Sequence, residues 1–180
     1  MKDLFIRVVI IFILFFTFLL GENSGQKSKQ QEIKNRAKQI NKEWHNFQNF
    51  ANWCEDSWRI WMDETWHLDK DILIKGNKVY SPETCCFVPN DINVLFTKRQ
   101  NHRGDCLIGT NKSSKNRWRA KISKEGNITH LGVFDSQEKA FQAYKTAKEV
   151  YIKEVADKWK DLIDPRVYEA MYNHRVEITD

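Results

Sequence analysis

The sequence predicts an α+β protein of two small modules, and three observations predict it. Residues 106–160 read as short strands followed by one long amphipathic helix. Residues 66–96 read as strand, turn, strand and helix. Positive charge is concentrated before and within the start of the first of these stretches: 97–124 holds Lys98, Arg99, Arg103, Lys112, Lys115, Arg117, Arg119, Lys121 and Lys124 against the single acid Asp105, while the whole chain of 180 residues is only +5.

In the C-terminal module, 107–111 is expected as a first strand. Arg117-Trp118-Arg119-Ala120-Lys121-Ile122 alternates basic with apolar residues, the period of a half-buried strand. Trp118, Ala120 and Ile122 then face one side, and Arg117, Arg119 and Lys121 the other. Gly126-Asn127 signals a turn, and 129–134 a further strand. Ser136 (or Asp135) can cap a helix beginning at Gln137. Ala140, Phe141, Tyr144, Ala147, Tyr151, Ile152, Val155 and Trp159 recur at spacings of three and four, which makes one apolar stripe. A sheet with one apolar face needs a cover, and this helix supplies it. The uncovered face is a row of cations, which attracts phosphates and makes binding salt-dependent. The plainer reading of such a charge run is a solvated surface.

These residues resemble the AP2/ERF DNA-binding domain. The resemblance is carried by Ile108-Gly109, by Arg117 to Ile122, by Leu131-Gly132-Val133-Phe134 and by the helix from Gln137 to Ala147. It implies a three-stranded antiparallel sheet packed on one long helix and laid in the major groove of double-stranded DNA. By position, the DNA-facing residues it implies are Asn111, Lys112 and Ser113 on the first strand. Arg117, Arg119, Lys121 and Ser123 follow on the second, and His130 on the third. Plant members place Arg or Trp at several of these positions, where this chain has Asn, Ser and His, so base specificity does not carry over.

The rest of the chain is read in order. Residues 1–20 form a hydrophobic segment: 8–20 has no charge, and Lys2 and Arg7 precede it. A signal-peptide core, a membrane anchor through 4–20 and an altered start are three open readings. The basic flank Lys27, Lys29, Lys34, Arg36 and Lys38 would keep an anchored chain's bulk in the cytoplasm. Residues 21–42 read as a polar linker with no role in a core. Cys54, Cys85, Cys86 and Cys106 contain no Cys-x-x-Cys pair, so a structural zinc site is not expected. Cys85-Cys86 fit as apolar strand residues in a reducing compartment.

The stretch 43–61 is dense in aromatics (Trp44, Phe47, Phe50, Trp53, Trp58, Trp61) and reads as an amphipathic helix. After it, 66–73 is expected as a strand, 75–78 as a turn, 84–88 as a second strand and Pro89 as the opening of a helix through Asn93 and Phe96. The layout, with His67, Asp69, Gly76-Asn77-Lys78 and Asn93, resembles the HNH (ββα-metal) module of phage and intron homing endonucleases. The resemblance implies His67 as general base, with Asn77 beside it as a catalytic residue. It implies Asp69 and Asn93 as ligands of a divalent cation, Mg²⁺ or Mn²⁺. Trp66 stands where the family usually has an acid before the His, and Asn77 falls two or three residues early, so the match is degenerate.

After the long helix, Asp164-Pro165 breaks the pattern, 166–172 suits a short helix, and 176–178 alternates as a terminal strand or tail. The chain carries no phosphate-cradling glycine loop and no Ser/His/Asp constellation. Two functions follow from the resemblances. One is a metal-dependent homing-type DNA endonuclease, and the other an AP2-like DNA-binding protein with a vestigial nuclease module. A third reading sets the basic sheet against anionic lipid. The pairing of motifs points to a phage or mobile-element origin.

Overall fold

A computed structural model describes residues 38–57, 66–97 and 105–180. The hydrophobic start, most of the polar linker, Trp58, Trp61, and Lys98, Arg99 and Arg103 lie outside the described residues. The architecture is α+β, with four α-helices and two small antiparallel sheets among the described residues. The chain divides into two compact units between Phe87 and Val88.

The first unit starts with a 3₁₀ turn, Lys42–His45, followed by helix α1, Phe47–Ser57. Asn41 caps the turn, its Oδ1 accepting from the Glu43 N–H at 3.0 Å. Asn46 does the same for the start of α1, accepting from Gln48 N–H at 2.9 Å. The aromatic density seen in the sequence becomes a core of rings. Trp44 meets Phe50 edge-on with centroids 5.1 Å apart, and Trp53 lies 4.7 Å from Trp44 and 5.5 Å from Phe87. Buried Ala51, Cys54 and Cys85 fill the space between them. The linker's end joins this core, contrary to expectation: Ile40 is buried and bridges to Tyr80, with the Tyr80 N–H donating to Gln39 O at 2.6 Å. One apolar side chain is enough to anchor a polar segment when the backbone beside it can pair.

Strand β1, Trp66–Asp69, is half the expected length. The Asp69 carboxylate ends it, its Oδ1 accepting from the N–H groups of Asp71 and Ile72 at 2.8 Å each, which bends the chain away. Strand β2, Cys86–Pro89, pairs with β1. Cys54, Cys85 and Cys86 are buried free thiols, and burial pushes the Cys54 and Cys85 thiols up to about 12.

In the second unit, Pro89 precedes helix α2, Asn90–Phe96. The three-stranded sheet is β3, Thr110–Ser114, β4, Arg117–Lys124, and β5, Asn127–Phe134, in that spatial order. The first strand begins three residues later than expected. Thr110 donates from both N–H and Oγ1 to Leu107 O, at 3.0 and 2.8 Å, so 107–110 is a turn. Gly109 makes this turn possible at φ 72°, because a Cβ there would overlap the Tyr144 ring. The β4–β5 hairpin turns on Glu125-Gly126, one residue earlier than expected, with φ of 51° and 81°. Two positive φ values give the turn whose twist matches the strands it joins.

Helix α3, Gln137–Trp159, covers one face of the sheet. Its cap is Ser136, whose Oγ accepts from Lys139 N–H at 3.2 Å. Ala140, Phe141, Tyr144, Ile152, Val155 and Ala156 are buried from α3, and Ala120 and Ile122 from the strand. Asp164 caps helix α4, Pro165–Asn173, with proline in the first helical turn, where its missing N–H costs nothing. Tyr168 and Tyr172 both donate to the Asp157 carboxylate, at 3.0 and 3.1 Å, which ties α4 to α3. Residues 176–178 form no strand. Instead α3 grips the backbone of one tail residue on both sides: Val176 N–H donates to Glu149 Oε1 at 2.9 Å, and Lys145 Nζ donates to Val176 O at 2.8 Å.

Candidate nucleic-acid interface

The two faces of the sheet are set by β4. Ala120 and Ile122 are buried against α3, so Arg117, Arg119, Lys121 and Ser123 stand on the open face. Residues directly opposite in a ladder share a face, and the register therefore assigns the neighbours. Asn111 and Val133 flank Arg119, His130 lies opposite Lys121, and Ile128 lies opposite Ser123.

His130 reaches this face only because β5 carries a bulge. The register runs from Ala120↔Gly132 directly to Lys121↔His130, so Leu131 is extra. Strict alternation from Phe134 would have placed His130 and Ile128 beneath the helix. Gly132, at φ 136°, takes the backbone shape the bulge needs. A second irregularity at Ser113 lies in β3, and there Arg119 Nη2 donates to Ser113 Oγ at 3.4 Å.

The open face thus combines Asn111, Ser113, Arg117, Arg119, Lys121, Ser123 and His130. Lys112 is not brought to it: it pairs with Trp118, and alternation puts it on the covered side, where it is exposed. Lys124 is committed elsewhere, 2.9 Å from Glu154 and over the Tyr151 ring at 4.8 Å. Among the described residues, neither Arg117 nor Lys121 has an acid within ion-pair distance. Asn111 Nδ2 donates to Lys112 O at 3.3 Å, while its Oδ1 is buried and has no hydrogen-bond partner among the described residues. Sequence reasoning did not pick out Ile128 and Val133 on this face. Val133 was legible from alternation with Phe134, whereas Ile128 depends on the bulge.

The residues implicated by the nuclease resemblance are placed as follows. His67 is exposed on β1, and Asp69, two residues on, is buried. Burial raises the Asp69 carboxyl above the usual carboxylate range, against the lowering effect of its two backbone hydrogen bonds, and the neighbouring Asp71 raises it further. Asn77 has its whole amide engaged. Nδ2 donates to Lys70 O at 2.6 Å and to Val79 O at 2.7 Å, and Oδ1 accepts from Val79 N–H at 3.0 Å. Asn93 is half-buried in α2 of the second unit, its carbonyl accepting from Thr97 Oγ1 at 3.1 Å. Among the described residues, no three His, Cys, Asp or Glu side chains are grouped to hold a metal ion. Asp69, the described acid nearest His67 in sequence, has its Oδ1 taken by its own turn.

No protein-family model, curated protein or solved structure matches the chain. Among the described residues no helix is long and apolar enough to cross a membrane, and 4–20 lies outside them.

Proposed function

We propose that the chain binds double-stranded DNA through the open face of the β3–β5 sheet, as the resemblance to AP2/ERF domains implies. The observation that carries this reading is the division of β4. Its apolar residues are spent on α3, while Arg117, Arg119 and Lys121 are left side by side on a face flanked by Asn111 and His130. Charged groups on a narrow β-ribbon match the width and phosphate walls of a major groove, and the amide and imidazole between them can bond base edges. A gel-shift titration over a salt series tests it. Arg117→Ala with Lys121→Ala should lower the slope of log affinity against log salt by about 1.8, at about 0.9 per lost phosphate contact. An unchanged affinity and slope would remove this face from the reading.

The second reading is that the first unit cleaves the DNA so bound. What favours it is His67, exposed on β1 beside a loop that Asn77 staples shut. Incubating the full chain and His67→Ala with duplex DNA in Mg²⁺, Mn²⁺ or EDTA decides it. Discrete products lost in both controls support cleavage, and salt-sensitive binding without products leaves the first unit non-catalytic.

A further inference from the structure

We infer that Ile128 and Val133 read thymine methyl groups, so that the chain selects a thymine-containing site. This rests on the DNA-binding proposal and adds a sequence-reading chemistry to it. The open face is otherwise made of cations, amides, hydroxyls and an imidazole. Two large apolar side chains interrupt it: Ile128, 62 % exposed, and Val133, 43 % exposed. A single exposed aliphatic residue is ordinary on a protein surface. Here two fall on one face, on one strand, and both are paired with residues of the proposed interface, Ser123 and Arg119. The bulge at Leu131 is what turns Ile128 outward, so the fold spends an irregularity on exposing it.

Major-groove base edges offer donors and acceptors almost throughout, and their one apolar feature is the thymine 5-methyl group. An aliphatic tip entering the groove between polar neighbours therefore has one favourable contact there. The Arg119 and Ser123 rows are four residues apart on β4, about 14 Å at ~3.4 Å per residue. With the strand along the groove, that distance covers about four base-pair steps of ~3.4 Å. The two methyl contacts are thus separated by about that many steps. Arg119 and Asn111 share the Val133 row, where the guanidinium is suited to guanine.

The test uses the full chain and a duplex selected by it from a randomised pool. Each thymidine of that duplex is replaced in turn by deoxyuridine, which lacks only the methyl group. Binding should weaken by about fourfold at each of two positions, the equivalent of one buried methyl group. Ile128→Ser should abolish the loss at one position and Val133→Ser at the other. Equal affinity for the fully deoxyuridine-substituted duplex would overturn the inference, as would parental discrimination in the double variant. Failure to bind any duplex would instead remove the DNA-binding proposal, and the inference with it.

Discussion

Asn77 shows how a residue chosen for chemistry can be explained by structure. Its side chain bridges carbonyls on both sides of the 70–79 loop, and its own oxygen holds Val79 N–H. Asn77→Ala should therefore cost about 1–3 kcal/mol in denaturant unfolding, the worth of its hydrogen bonds and of the two carbonyls left behind. Unaltered stability would show that the loop does not depend on it. Lys148 lies between Tyr144 and Ile152 on α3, and burial pulls its ammonium down to about 8. Its folded pKa is below the unfolded one, so the unfolded chain binds more protons between about pH 8 and 10.5. Its burden on stability is full below pH 8 and is relieved as pH rises through that window. Lys148→Met should raise stability at pH 7 by roughly 1–3 kcal/mol, and that gain should shrink by pH 10. A gain independent of pH would place its cause in packing instead. In the sequence Lys148 was one cation among many on a charged helix, since depth of burial is a tertiary property.

At the scale of elements, the sequence reading succeeded where period decides and failed where single residues do. Alternation in 117–122 and the three-and-four spacing after Gln137 located β4 and α3, because one buried face imposes its period on the residues. Ser136 was legible as a cap for the same local reason. The start of β3, the end of β1 and the register of β5 were not legible. Each is set by one non-periodic device: the Thr110–Leu107 turn, the Asp69 carboxylate and the bulge at Leu131. Gly109 lies within the first of these, the turn that precedes β3. Gly109→Ala would force a Cβ into the Tyr144 ring at a left-handed backbone position. We expect a loss of roughly 2–5 kcal/mol, summing the φ penalty and the overpacking, seen as a lower thermal midpoint. A loss below 1 kcal/mol would mean the turn can relax away from the helix.

Over the whole molecule, the two units are held by different kinds of core. The first unit is held by rings, Trp44, Phe50, Trp53 and Phe87. The second is held by a helix on a sheet, and that arrangement leaves one face of β4 to solvent. The net charge of +5 understated this, because acids such as Glu149, Glu154 and Asp157 are placed on the helix, away from the open face. The concentration of cations around β4 was legible in the sequence, whereas their gathering with Asn111 and His130 needed the register. The most direct measurement of the central claim is dimethyl sulfate protection of a duplex bound by the full chain. Dimethyl sulfate methylates guanine N7 in the major groove and adenine N3 in the minor groove. The account predicts N7 protection within the bound site, lost in Arg119→Ala. Tight binding with unprotected N7 and protected N3 would contradict a sheet lying in the major groove.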